Sequence, residues 1–159
     1  MSIFPHLNDH GDARMVDVTA KSVTERSATA HSRVSLTAEV IERLNAGDIP
    51  KGDALAVARI AAISASKKTS DLIPLCHPLA IHGVDVNVVL DATGAQITVT
   101  VKTADRTGVE MEALTAASVG ALALIDMVKS LDRMARIEFV ELLEKKGGRS
   151  GHWIRSEHE

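Results

Sequence analysis

Residues 113–125 carry no charge at all: Thr115, Ser118 and Gly120 alone interrupt a run of Ala, Val, Leu and Ile, and Asp126 closes it. A helix that is apolar on nearly every side must be covered on nearly every side. The uncharged run is too short to cross a bilayer. It therefore predicts a helix over 111–130, buried in the middle of a soluble protein and reaching an interface. What can surround it is limited, because only 2% of the chain is aromatic while 45% is hydrophobic. The core must be made of Ala, Val, Ile and Leu, and Ala and Gly allow helices to approach closely.

The chain has 159 residues, enough for one domain that buries roughly 70% of its unfolded surface. A net charge of −3 argues against a duplex nucleic-acid binder. The single cysteine, Cys76, excludes an intrachain disulfide framework and suits a reducing, cytoplasmic setting. The first residues show no basic stretch followed by an apolar one, so neither a signal peptide nor a membrane anchor is expected.

Periodicity orders the rest. Residues 1–14 are polar and read as a flexible arm, followed by a short strand over 15–18. Ala28, Ala30, Ser32, Val34 and Leu36 alternate as a half-buried strand. Thr37 can cap a helix running to Asn45, with Gly47 as its stop, and Asp53 can cap a second helix to Lys68. Val84, Val86 and Val88 face Ile97, Val99 and Val101 across a turn at 92–95, a β-hairpin pattern. A last strand over 134–143 precedes a glycine-rich tail, 147–159, expected to be flexible. The order β-α-α-β-β-α-β predicts one α+β domain over 15–146, two-layered and ferredoxin-like, with a mostly antiparallel sheet packed against helices.

Chemistry concentrates in two places. Lys67 and Lys68 close the second helix, and Cys76-His77 follows between Pro74 and Pro78, which stiffen the loop. Two ammonium groups near a thiol and an imidazole suit an anionic substrate. The long helix carries Glu110 and Glu112 at its start, and Asp126 with Lys129 one turn apart near its end. A carboxylate beside an ammonium at an apolar edge is a plausible acid–base couple. Glu112 and Asp126 are separated by fourteen positions, which puts them on nearly one face but about 21 Å apart. One helix cannot bring both to one small molecule. Two copies packed antiparallel across a two-fold can, and Ala116, Ala117, Gly120 and Ala121 offer the small surface for that packing. The tail Lys145-Lys146-Gly147-Gly148-Arg149-Ser150-Gly151 is not a phosphate loop, because no Lys-Ser/Thr follows its glycines. His77, His82 and Cys76 lack a second ligand pair, so no metal is expected.

The strings KGDALAVARIAAISASKKTSDLIPLCHPL and TGVEMEALTAASVGALALIDMVKSLD, with MVDVTAKSVTERSATA and KKGGRSG, closely resemble the molybdenum-cofactor biosynthesis protein C family, the cyclic pyranopterin monophosphate synthases. The resemblance covers nearly the whole chain after residue 14. It implies a ferredoxin-like homohexamer, a trimer of dimers with active sites at dimer interfaces. The implied reaction converts 3′,8-cyclo-7,8-dihydro-GTP to cyclic pyranopterin monophosphate and releases diphosphate, without a cofactor. The implied catalytic residues are Asp126, Lys129 and Lys51. The implied substrate contacts are Leu75, Cys76, His77, Met111, Glu112, Glu110, Lys67, Lys68 and Lys145. Relatives often carry an aromatic where Ile125 stands and lysine where Arg149 stands.

Two other classes compete. A nucleotide- or phosphate-sensing oligomer would use the lysines alone and would gain nothing from a carboxylate at position 126. A single-stranded RNA module on this fold needs a platform of stacking aromatics, and Phe4, Phe139 and Trp153 are scattered.

Overall fold

A computed structural model describes residues 6–8, 10–149 and 151–156. In chain order the elements are β1 (Thr24–Ser35), α1 (Ala38–Ala46), α2 (Ala54–Ser66), α3 (Thr69–Leu72), β2 (Gly83–Asp91), β3 (Gly94–Asp105), α4 (Glu110–Val128), β4 (Arg136–Lys146) and β5 (His152–Ile154). The strands form one antiparallel sheet in the order β2-β3-β1-β4-β5. The four strands β2-β3-β1-β4 follow the ferredoxin-like order, so the α+β expectation holds.

Alternation decides which face is covered. Ala28, Ala30, Ser32 and Val34 of β1 and Ile97, Val99 and Val101 of β3 are buried under the helices. Thr29 and Thr100 lie on the opposite face, their hydroxyls 2.8 Å apart. Among the covered residues the buried Ser32 hydroxyl donates to the Ala117 carbonyl at 2.8 Å, fixing α4 over β1. Helix α2 lies alongside α4 on the same layer. A Cβ placed on Gly120 would come within 3.2 Å of the Ala62 methyl and 3.4 Å of the Ala58 carbonyl oxygen, so these two helices meet nearly backbone to backbone. Over its full length α4 is long and apolar enough to cross a membrane by length and composition alone. It is instead the core helix, with Ala113, Ala116, Ala117, Ala121, Leu124 and Val128 fully buried.

This packing corrects one expectation. Ala116, Ala117 and Ala121 are buried against the sheet and α2, and Gly120 meets α2, so none is free to meet a second copy. The exposed or half-exposed stripe of α4 consists of Met111, Leu114, Ser118, Leu122 and Ile125. Alanine suits either role, and only the register of the helix on the sheet decides between them.

Local chemistry explains the other boundaries. Asp53 caps α2, its Oδ1 accepting from the Ala56 amide at 2.9 Å. Thr37 makes no side-chain cap on α1. Its amide instead donates to Oδ2 of the buried Asp132 at 2.9 Å, and Asp132 Oδ1 receives the Met134 amide, also at 2.9 Å. Helix α2 ends at Ser66, two residues before the expected Lys68, and the short α3 follows it. Residues 15–18 form no strand. Residues 1–5 and 9 of the expected arm lie outside the described residues. Its remaining residues fold around Asn8, whose Oδ1 accepts from the amides of His10 and Asp12, each at 2.9 Å.

Strand β4 runs on to Lys146, and its register against β1 slips twice, between Thr29 and Ala30 and between Arg33 and Val34. The expected tail contains β5, which pairs Ile154 with Glu144 and His152 with Lys146. The connecting loop needs glycine: a Cβ on Gly147, at φ +93°, would lie 2.2 Å from the Glu25 carbonyl oxygen.

The close contact at Gly120 makes a testable statement. Gly120→Val should lower unfolding free energy by about 1–3 kcal/mol through forced separation of α2 and α4. Urea denaturation followed by circular dichroism measures it, and a wild-type midpoint would contradict the packing described.

Candidate active site

The buried axis of α4 carries functional groups at both ends. At its N-terminus a cavity of about 590 Å³ is bounded by the loop after α3, the turn before α4 and the segment preceding β1. Leu75, Cys76, His77, Glu110, Met111 and Glu112 all line it, so the structure brings together six residues expected there. Pro74 lies in a turn closed by the Cys76 amide, which donates to the Ile73 carbonyl at 3.1 Å, and an irregular segment follows through Pro78. Thr103 secures its far end by donating to the Ala80 carbonyl at 2.6 Å.

Electrostatics differ sharply within this cavity. Glu112 is only 4% exposed. Burial, reinforced by the charge of nearby Glu110, pushes its carboxyl up to about 7. Burial and the neighbouring Glu112 also raise the Cys76 thiol, which keeps it protonated and weakly nucleophilic. Lys145 reaches the cavity edge from β4, its Nζ 3.2 Å from Glu110 Oε1. His77 Nε2 lies 2.6 Å from the Val16 carbonyl oxygen.

Asp126 organises the other end. Lys129 Nζ lies 2.7 Å from its Oδ1, and Lys51 Nζ lies 3.0 Å from its Oδ2 and 2.6 Å from its backbone carbonyl. Lys129 first and Lys51 second hold the Asp126 carboxyl below the usual carboxylate range, so it is ionised at neutral pH. The Lys51 contact bridges the turn after α1 to the last turn of α4. The Asp126 side chain is 57% exposed in the single chain.

The two clusters stand at opposite ends of one helix, as the spacing of Glu112 and Asp126 requires. Lys67 and Lys68 line neither cluster: Lys68 pairs loosely with Asp71 at 3.7 Å, and both lysines are exposed. Lys51, Lys67, Lys68 and Lys145 therefore do not converge within a single chain. Among the described residues no group of three His, Cys, Asp or Glu side chains is arranged to hold a metal ion.

Other residues join the cavity without having been singled out. Lys21, Val16, Val18, Thr107 and Gly108 line it. Arg26 braces the chain leading into α4, its Nε donating to the Asp105 carbonyl at 3.0 Å and its Nη2 to the Arg106 carbonyl at 3.2 Å. Lys21 and Arg26 both fall in the string MVDVTAKSVTERSATA, which contributed to the resemblance but yielded no individual residue. No helix or strand periodicity marks either one.

Comparison with known proteins adds independent support. Residues 15–148 match the MoaC family. A cyclic pyranopterin monophosphate synthase of Streptomyces avermitilis is 55% identical over 151 residues, covering 95% of this chain and 89% of the relative. One from Roseiflexus castenholzii is 55% identical over 156 residues, covering 97% and 99%. Cyclic pyranopterin monophosphate synthase 2 of Mycobacterium tuberculosis is 52% identical over 150 residues, covering 94% and 90%.

The raised Glu112 carboxyl fixes the sign of a pH effect. A carboxyl raised from 4.5 to about 7 by folding stabilises the protein while protonated, and that contribution is lost as pH rises through the folded value. Glu112→Gln keeps the neutral shape. Thermal unfolding between pH 4.5 and about 7 should show wild-type stability falling relative to this variant as pH increases, and parallel curves would show that the carboxyl is not held in a dry setting.

Proposed function

The chain belongs to the MoaC family, and we propose that two copies share each active site, in which 3′,8-cyclo-7,8-dihydro-GTP is converted to cyclic pyranopterin monophosphate and diphosphate. The reaction belongs to molybdenum cofactor biosynthesis, and the enzyme is a phosphorus–oxygen lyase. One observation supports the sharing most directly. A stripe of exposed Met111 and Leu122 and half-buried Leu114, Ser118 and Ile125 runs along α4 from the Glu112 cavity to the Asp126 cluster. Beside it α2 exposes Val57 and Ile60, at 40% and 64%. Apolar side chains in such a continuous line favour burial against another surface. An antiparallel two-fold along this line carries the Asp126 cluster of one copy to the Glu112 cavity of the other.

In the joined site the substrate's triphosphate meets cations from both chains. Lys51 and Lys129 come from one copy, and Lys21 and Lys145 from the other. Lys67 and Lys68 add charge at the approach. As a ribose hydroxyl attacks the α-phosphorus and the bond to the β-phosphate oxygen breaks, these ammonium groups offset the charge collecting on diphosphate. Rebuilding the purine requires protons to be delivered and removed. Glu112, protonated near neutral pH, is suited to deliver one, whereas the ionised Asp126 between two ammonium groups is suited to accept one. His77, Cys76, Leu75 and Met111 hold the ring system, and Glu110 steers Lys145. Domain limits of 15–146, assembly as a trimer of dimers and a cytoplasmic location complete the proposal.

Two measurements test it. Purified protein given 3′,8-cyclo-7,8-dihydro-GTP should release diphosphate and form an oxidisable, fluorescent pterin. Chains carrying Glu112→Gln and chains carrying Asp126→Asn should each be nearly inactive. Mixed one to one and reassembled, they should recover about one quarter of wild-type activity, because half the dimers are mixed and each mixed dimer holds one intact site. No recovery in verified mixed dimers would refute a shared site.

A further inference from the structure

The segment just before β1 was expected to be a strand, and its actual state is informative. Residues 15–21 have no strand partner, and Met15, Asp17, Thr19, Ala20 and Lys21 are exposed. Space lies on both sides of it. The Glu112 cavity is on one side, and a second cavity of about 480 Å³ is on the other, with Val16, Val18, His77 and Leu79 lining both. The segment is thus a thin partition rather than part of the packed core.

Two side chains of the domain grip this partition by its backbone. His77 Nε2 contacts the Val16 carbonyl at 2.6 Å, and Arg106 Nε donates to the Lys21 carbonyl at 3.0 Å. Between them the chain turns on itself, with the Thr19 amide donating to Asp17 Oδ1 at 2.8 Å and the Lys21 amide to the Val18 carbonyl at 3.0 Å. A carbonyl oxygen only accepts, so the His77 contact requires a hydrogen on Nε2. That hydrogen is present in the neutral Nε2–H tautomer and in imidazolium alike. The grip therefore survives protonation, and Nδ1 is the ring nitrogen left to exchange a proton.

We propose that residues 15–21 form a lid over the Glu112 cavity, latched by His77 at one end and hinged at the Arg106–Lys21 contact. The proposal rests on the cavity being the substrate site. A segment held by a few backbone bonds, with open space on both faces, belongs to the low-stability end of a structure, from which active-site lids are drawn. Opening toward the outer cavity breaks the Val16 contact and frees the imidazole. Closing brings Lys21 back to the cavity wall and excludes water from Glu112.

Hydrogen exchange at the Thr19 and Lys21 amides tests the lid in substrate-free protein. His77→Asn removes the donor at the Nε2 position, and Arg106→Ala removes the hinge bond. Each should speed exchange at these amides about five- to tenfold, with α4 amides unchanged. His77→Gln restores an amide donor near the Nε2 position and should keep most of the protection. Arg106→Ala should also raise KM with kcat held, and it carries the test if His77→Asn does not fold. Unaltered lid exchange in Arg106→Ala and in folded His77→Asn would overturn the latch. Added 3′,8-cyclo-7,8-dihydro-GTP should slow Lys21 exchange in wild type, and bound substrate without that slowing would also overturn the lid. Absence of turnover would sink the assigned reaction, while the substrate-free contrasts would still decide the latch.

Discussion

The near backbone contact of α4 with α2 at Gly120 is the constraint on which the rest of the structure depends. With almost no aromatic side chains, the layer over the sheet gains cohesion from close approach of small groups, where dispersion contacts are densest. Ala58, Ala62, Ala116, Ala117 and Ala121 are all fully buried in that layer. A rigid α4 follows, and with it a fixed separation between Glu112 at one end and Asp126 at the other. The chemistry is laid out on a straight ruler that the core holds still.

The two carboxylates at the ends of that ruler have opposite surroundings. Glu112 is dry and near another acid, and its proton is held up to about pH 7. Asp126 is wet, lies between two ammonium groups, and loses its proton readily. The same functional group is thus tuned in opposite directions by burial in one case and by salt contacts in the other. Sites that need both a donor and an acceptor at one pH are built from such pairs. Covering Asp126 with a second apolar surface would strengthen its contacts with Lys51 and Lys129, because water no longer competes for them.

Much of this was legible from residue order. Alternation in the β2–β3 hairpin, the Asp53 cap and the Gly47 stop follow from local rules, and local rules sufficed there. The Cys76-His77 loop and the spacing of Glu112 and Asp126 were equally readable, since proline stiffness and helix geometry do not depend on distant contacts. What failed depended on tertiary register. Whether an alanine of α4 faces the sheet or solvent is not written in the alanine. Thr37 makes no side-chain cap, and its own amide is taken by Asp132, far along the chain. Lys21 and Arg26 could not be found by periodicity, because they act from an irregular segment and from a strand end. Lys67 and Lys68 stand apart from both clusters in the single chain, because the loop after them turns away before any second copy is added.

The register slip between Thr29 and Ala30 decides on which side of the sheet a key ammonium appears. Leu142 pairs with Ala30, yet Lys145 pairs with Ala28, so Leu143 is a supernumerary residue in β4. Were Leu143 paired regularly with Thr29 instead, Lys145 would fall opposite Ser27, on the uncovered face. One inserted leucine transposes the whole end of the strand, as a half-step shifts every later tooth of a zip. Lys145 consequently meets Glu110, and forcing Leu143 into regular pairing would send its amine through to the back of the molecule.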